Sequence, residues 1–586
     1  MSEVRSVGII GIGPRGSYAL EVFIIELVKK KSLSHVHLLL FEASGKYGSG
    51  QVYQEGQSST NWINICERIL LLEGREIIEY EGLVIPKFPS YHEWIKKDYS
   101  KIPKTEADIY SPRIKIGRYL QERFHSLITP LLESDIVSTH EERVEDLIIE
   151  DKGNISVVTT VNTYHDIDEL LLTIGHQPTE PDDQIVKWNN HAEENNQASL
   201  YKSPYPLSQY VNSEKLTAKS QIGIRGFGLA MIDVARGIAD KFGDFIIDNK
   251  ETKSCKYKSG HSLENLFIPF SLDGLPPAPK PLNAQIDEWF KPTDEQVIDF
   301  ENKIKDVKTQ EEASNPEFLI NAFAPIAASV YSLLPRTYDD SNLSIDNIKD
   351  IILLWMKDNK HAHPHITPID QSAEQSMEEF VGMAVGSGGV SLDYCIGQVW
   401  RHCQPSIYKH LSFNSCSDDV FEEIIALDER IKRYSYGPPV ESIQQMLALI
   451  KEGVMNINLA NDPEIELTDE GWCLNEGGRS ITANMMINSV LDSPKIKVVS
   501  SPLVKSMLAN DLIKAVHDEL GVMTDEHGYV VSENKDESVP IALLGRLAKG
   551  TIIGVDAILE CYGVRPQKWA SAAADNHMAW LRHRMS

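Results

Sequence analysis

The chain has 586 residues, room for several domains, and its 42% apolar and 24% charged residues are a globular composition. Its 57 basic and 85 acidic side chains leave a net charge of −28, which argues against nucleic acid or an anionic membrane as partner. No run of about 18 apolar residues occurs, so no membrane span is expected. The N-terminus has no signal-peptide character. The seven cysteines, at 66, 255, 395, 403, 416, 473 and 561, include no CxxC pair. They predict a cytoplasmic protein without a zinc knuckle.

The first element is a βαβ unit. Val7, Ile9 and Ile10 form a short strand-like run. Gly11, Gly13 and Gly16 follow in GxGxxG spacing, then Leu20, Phe23, Ile24, Leu27 and Val28 recur at helical period. A second apolar run, Val36 to Phe41, ends at Glu42. Gly11 allows the tight turn, Gly13 leaves bare backbone for a pyrophosphate, and Gly16 lets helix and strand pack closely. The amides at the helix start face the phosphates. Glu42 is placed to accept from a ribose diol and to repel a 2′-phosphate, so the ligand expected here is FAD or NAD.

A glycine-rich loop comes next, with Gly45, Gly48 and Gly50, and leads to Asn61-Trp62-Ile63-Asn64. Ser111-Pro112-Arg113 precedes an amphipathic helix to about Leu127. Arg143–Glu150 and Ile155–Val161 flank a hairpin signal at Asp151 to Asn154. Asp168 to Gly175 reads as a buried strand. A second strand–turn–helix starts at Gln221, with Gly226 and Gly228 in the first two fingerprint positions, Met231 in the third, and Asp233 further along the helix. The proline-rich Pro276 to Pro281 marks a boundary. From Leu282 to Glu452 the pattern is helical, with helices expected at 294–308, 345–358, 373–385, 392–411, 418–432 and 440–451. Strand patterns return from Val454, at 464–467, 485–490, 496–499 and 541–545, before a last helix from about Val555.

Taken together, GxGPRG (Gly11 to Gly16), GxGxVY (Gly48 to Tyr53), the Asn64 segment, SPR…GxYL (Ser111 to Leu120), TIGHQP (Thr173 to Pro178), GxGLxxxD (Gly226 to Asp233) and RYSYGPP (Arg433 to Pro439) resemble FAD/NAD(P)-binding proteins related to FAD-dependent urate hydroxylase. Longer members look similar to flavin-dependent amino-acid N-monooxygenases, including aspartate N-hydroxylating enzymes. The resemblance implies an α/β protein with two Rossmann-like dinucleotide-binding domains, the first a glutathione-reductase-type FAD domain, and a large helical insertion. The expected division is 1–205 for the first part of the FAD domain, 206–281 for an NAD(P)-binding-like domain, 282–453 for a helical substrate or cap domain and 454–586 for the rest of the FAD domain.

The activity implied is an FAD-dependent, NADPH- or NADH-consuming monooxygenase that N-hydroxylates a small amino acid or amine through a flavin C4a-hydroperoxide, with O₂ and a small-molecule substrate as partners. Gly11, Gly13, Pro14, Arg15, Gly16, Glu42, Gly48, Gly50, Val144, Gly175, Gly545 and Thr551 would then surround FAD. Gly226, Gly228 and Asp233 would meet NAD(P)H. Asn64 is expected near the flavin, or as a turn-stabilising residue. Arg113 is expected to meet FAD phosphate or a substrate carboxylate, or to form a surface ion pair. Arg401 is expected as a carboxylate clamp or a solvated helix arginine. Where relatives carry an arginine able to hold a 2′-phosphate, this chain has Ser271-Leu272-Asp273-Gly274, which leaves Arg225 or Arg236 as substitutes. His361, His363 and His365 alternate and read as a polar connector or channel rim rather than a metal site. Two other readings stay open: an FAD oxidase or dehydrogenase without a pyridine nucleotide, and a flavin-bound sensor whose helical block binds a partner.

Overall fold

The computed structural model describes residues 4–151, 153–532, 539–555 and 557–585. Lys152 of the hairpin signal lies outside them. In chain order, β1 (Arg5–Ile10), α1 (Pro14–Lys29) and β2 (Val36–Phe41) form the opening unit. Then come α2 (Arg113–Glu133), β3 (Val137–His140), β4 (Glu169–Leu172), β5 (Ser199–Tyr201), β6 (Ile222–Arg225), α3 (Leu229–Phe242) and β7 (Phe267–Phe270). The helical block includes α4 (Glu317–Ser332), α5 (Leu392–Leu411), α6 (Asp418–Ser435) and α7 (Val440–Lys451). After it stand β8 (Met485–Asn488), β9 (Ile541–Leu543) and α8 (Val564–Met585).

Two parallel sheets organise these elements. The first has the order β9-β4-β1-β2-β3 and the second β5-β8-β6-β7. The inner strands β4, β1 and β2 of the first are largely apolar on both faces, as a sheet covered on both sides requires. Val7, Ile9, Leu38 and Leu40 pack on α1 through Leu20, Phe23, Ile24 and Leu27. α8 covers α1 in turn, with the Trp569 ring 5.2 Å from that of Phe23.

The expected boundary at 454 is corrected by strand pairing. β8, at 485–488, lies between β5 and β6, so this return segment completes the second sheet rather than the first. β9 is the strand of this region that pairs in the first sheet, beside β4. Several element limits also move. The helix expected over 294–308 breaks into Asp294–Ile304 and Val307–Glu312, and Ile496–Val498 is a 3₁₀ turn, not a strand. α4 is a helix that the sequence pattern does not announce. It is apolar around most of its circumference and buried, so it lacks the one-sided period by which surface helices are recognised. Its Phe323 ring meets Trp400 of α5 edge-on at 5.0 Å.

The helical block shares one apolar core with the second sheet: Ile224, Met231 and Ile238 belong to the same cluster as Phe323, Trp400 and Leu447. α5 and α6 approach so closely that a Cβ on Gly397 would overlap Tyr434 and lie 3.0 Å from its Cα. Gly397→Ala is therefore expected to lower stability by about 3 kcal/mol through overpacking, read as a fall in denaturation midpoint with the secondary structure retained.

Candidate functional site

The opening turn is built for an anion. Gly11 has φ +88°, and a Cβ there would lie 2.6 Å from the Thr173 carbonyl oxygen at the end of β4. A Cβ on Gly16 would collide with the Gly11 carbonyl and sit 2.6 Å from Thr173 Oγ1. Gly13 is the N-cap of α1; no side chain caps the helix, Pro14 is its first residue, and its first turn holds no acidic residue. The amide donors at this end thus lack a side-chain acceptor, and a phosphate supplies one. Glu42 stands at the end of β2, its Oε2 accepting from the Ile12 N–H at 2.8 Å and its Oε1 from the Ser44 N–H and hydroxyl. These three contacts hold the carboxylate beside the turn. The glycine-rich loop lies directly above: the Gly48 N–H donates to the Ile12 carbonyl at 2.6 Å, and Gly50 Cα is 3.6 Å from where a Gly13 Cβ would stand. These residues fit an FAD pyrophosphate and ribose.

The second turn has the same form. Gly226 has φ +108°, and Gly228 is the N-cap of α3, again without a side-chain cap or an acid in the first turn. Asp233, expected at the nucleotide, lies a full turn further along α3 and is 5% exposed. It accepts from Arg113 Nη2 at 3.0 Å and from the Tyr205 hydroxyl at 2.6 Å. Burial pushes its carboxyl up from the ordinary range, against the pull of Arg113. Arg113 is therefore not free for a substrate. It joins the first residue of α2 to α3 and ties the two sheets together. One turn on, the Arg236 guanidinium lies over the Trp62 ring at 3.6 Å. Burial lowers its pKa to about 10. Of the two arginines proposed for a 2′-phosphate, Arg225 stands beside Phe270 at the end of β7 with its guanidinium paired with Asp182 at 2.7 Å, and Arg236 stacks on Trp62. Arg433 approaches the same end of β7, paired with Asp273.

A cavity of about 210 Å³ lies at this seam, lined by Trp62, Asp108, Tyr110, Lys253, Pro281 and Glu441 among others. Beside it Lys280, the one charged residue of the proline-rich stretch, donates to the carbonyls of Asn64 and, at 3.1 Å, Gly437. Burial pulls its pKa down to about 7. Asn64 thus meets the helical block through its main chain, and its side-chain amide reaches the Tyr436 carbonyl at 3.5 Å. Arg401 is paired with Asp287 and donates to Gln398 Oε1 at 3.2 Å, so its expected clamp is engaged by the protein itself.

Residues 8–177 match the model of the FAD-NAD(P)-binding family. This segment is a FAD-NAD(P)-binding domain. Across the chain, an uncharacterised protein of Escherichia coli strain K12, YdhS, is 22% identical over 520 residues, 86% of each chain. Nitrosuccinic acid synthase npaA of Aspergillus oryzae is 24% identical over 231 residues, 39% of this chain and 34% of that one. Among solved structures, L-lysine 6-monooxygenase from Pseudomonas syringae aligns at 12% identity and a TM-score of 0.42, over 98% of this chain and all of that one. The OTEMO complex with FAD and NADP aligns at 11% and 0.43, over 100% and 87%.

Around the FAD-NAD(P)-binding domain the other expected contacts divide. Val144 is buried at the start of the strand Val144–Ile149, in one cluster with Ile10 and Phe41. Gly175 is exposed just past β4, and Gly545 stands just past β9, where its Cβ position is 3.1 Å from Arg15 Nε. The Arg15 guanidinium, expected at FAD, instead donates to the carbonyls of Glu560 and Val555 at 2.9 and 3.0 Å, leaving its main-chain amide for a ligand. The Thr551 hydroxyl accepts from the Thr524 N–H at 3.1 Å and donates to the Val522 carbonyl, so it is also spent internally. His365 is buried between the Tyr331 and Ser341 hydroxyls, each at 2.9 Å, which makes it a structural residue of the helical block. Among the described residues no group of three His, Cys, Asp or Glu side chains is placed to hold a metal.

The segment carrying Trp62 and Asn64 is anchored by Glu67, which is fully buried. Burial favours its neutral form, yet Lys115, Ser111, Tyr99 and Lys97 donate to it and hold its pKa at about 2. Its stabilisation is complete above about pH 4.5 and is lost as pH falls towards 2. Glu67→Gln is expected to cost about 3 kcal/mol at pH 7 and to flatten the acid limb of the stability profile in denaturant titrations.

Proposed function

We propose that the protein is an FAD-dependent, NAD(P)H-consuming monooxygenase that N-hydroxylates a small amino acid or amine, with two Rossmann-like domains that hold the two nucleotides. The observation that carries this reading is the pair of uncapped glycine turns, Gly11–Gly16 and Gly226–Gly228, on parallel sheets tied together by Arg113 and Asp233. Each turn offers main-chain donors to a diphosphate.

The α1 N-terminus would hold the FAD pyrophosphate and Glu42 its ribose diol, while the α3 N-terminus would take the second nucleotide. FAD, when bound, supplies hydride acceptance and oxygen activation. The chain's own contribution is binding, orientation and a dry pocket. The burial of Lys280 and the partial burial of Trp62 and Tyr110 serve the last of these. An amine reacts only as its neutral form, and burial favours that form. The name of the fungal relative, nitrosuccinic acid synthase, supports nitrogen oxidation on a small dicarboxylic skeleton.

The test is anaerobic reduction of the FAD-loaded protein by NADPH or NADH, with and without candidate amino acids, and then addition of oxygen and analysis for N-oxidised product. Nucleotide-dependent bleaching and product formation support the reading. Bleaching by substrate alone would make the protein an oxidase or dehydrogenase instead. Glu42→Gln is expected to weaken FAD binding about tenfold by flavin fluorescence titration.

A further inference from the structure

The two glycine turns correspond residue by residue through their strand pairing. In the first sheet Ile10 pairs with Phe41, and the Gly11 N–H donates to the Phe41 carbonyl at 2.8 Å. In the second sheet Arg225 pairs with Phe270, and the Gly226 N–H donates to the Phe270 carbonyl at 2.8 Å. Gly226 thus takes the place of Gly11, and Ser271 takes the place of Glu42. The residue just past the second strand is the one that faces the adenosine ribose of a nucleotide seated on such a turn. At the first turn it is an acid, and at the second it is a hydroxyl.

The Ser271 hydroxyl is drawn into its own loop. It accepts from the Gly274 N–H at 3.1 Å and donates to Asp273 Oδ1 at 3.2 Å. An acid therefore still stands at the end of β7, two residues later than in the first sheet. Its Oδ1 also accepts from the Leu275 N–H at 3.2 Å, and its Oδ2 pairs with Arg433. A carboxylate offers about four acceptor positions, so one remains open, and the side chain is 48% exposed. Partial burial raises the Asp273 pKa, but Arg433 and the donors of its own turn outweigh this and hold it below the ordinary value. Leu272, between Ser271 and Asp273, brings no charge. Arg225 is occupied by Asp182 at 2.7 Å. Both arginines at this end are thus neutralised already, and each has a carboxylate beside it. A 2′-phosphate would bring about two further negative charges here, whereas a ribose diol brings none and needs only an acceptor.

We propose that the second turn selects NADH over NADPH, and that Asp273 is the residue that sets this preference. The inference rests on the reading of that turn as the pyridine-nucleotide site, and it fixes which nucleotide the site takes. Asp273 acts in two ways. Its open acceptor position receives a ribose hydroxyl. It also holds Arg433, the guanidinium that a 2′-phosphate would otherwise recruit. A phosphate at this place must lie against the carboxylate or break the Arg433 pair, and a diol does neither.

The test is calorimetric titration of the FAD-loaded protein with NAD⁺ and with NADP⁺, which bind without reducing the flavin. Wild type is expected to bind NAD⁺ about tenfold or more tightly than NADP⁺. Asp273→Asn keeps the size of the side chain and an acceptor for Ser271 and Leu275, but it removes the charge and frees Arg433. It is expected to tighten NADP⁺ about tenfold and to weaken NAD⁺. Adding Arg433→Gln to Asp273→Asn is expected to abolish the gain. Flavin absorbance and thermal midpoint establish that each variant is folded, and Asp273→Ser carries the readout if Asp273→Asn is not. Wild type that binds NADP⁺ as tightly as NAD⁺, or binds neither, would overturn the proposal, as would an unchanged ratio in the folded Asp273 variant. An Asp273-dependent preference for NAD⁺ in a protein that makes no N-oxidised product with NADH would keep the selectivity and remove the monooxygenase reading. Equal binding of the two nucleotides, with product formed equally well from NADH and NADPH, would do the reverse.

Discussion

The arrangement depends on one buried ion pair. Arg113 at the start of α2, Tyr205 in the connector between the sheets, and Asp233 on α3 meet at 2.6–3.4 Å. Burying both charges costs several kcal/mol in desolvation, so the pair adds little net stability. What it contributes is register. A guanidinium accepts its partners in few orientations, so α3 is held at one angle to the Asn61–Ile63 segment, with the Arg113 N–H donating to the Asn61 carbonyl at 2.8 Å. The two glycine turns thereby keep one spacing, and the seam keeps one shape.

The position of the helical block is set by that placement. It does not sit as a separate cap, because its apolar residues and those of α3 form one core. Interiors packed to crystal-like density deform little, so the block moves with the second sheet. Its links to the first sheet are apolar and polar: Phe413 packs on the cluster that holds Leu170 and Leu172, Lys280 donates to the Asn64 carbonyl, and Asp287 pairs with Arg68.

The βαβ opening is legible in the sequence because each of its signals is local. The GxGxxG spacing, the helical period from Leu20 to Val28 and the terminal Glu42 lie within about forty residues and constrain one another. The same holds for β6 and its turn. α4 is not legible, since a helix buried on nearly all sides carries no amphipathic stripe. Nor is the membership of β8. Its apolar run suits the middle of either parallel sheet, and only hydrogen-bond pairing chose the second. Arg15 and Thr551 are expected at FAD by motif position, but a motif fixes where a Cα lies and not which way a long or hydroxylated side chain is drawn. Both are drawn to main-chain partners in the C-terminal segment, more than 500 residues from Arg15 and under 30 from Thr551.

By itself, the sequence determined the two strand–turn–helix units, the acid at the end of β2 and the helical character of the middle third, because backbone conformation and apolar period are set by near neighbours. The tertiary structure alone decided which charges are partnered. Arg113 and Arg401 read as free ligand-binding groups and are neutralised by Asp233 and Asp287. Pairing depends on distances between residues 114 to 120 positions apart, and a Coulomb interaction between them exists only once the chain has folded.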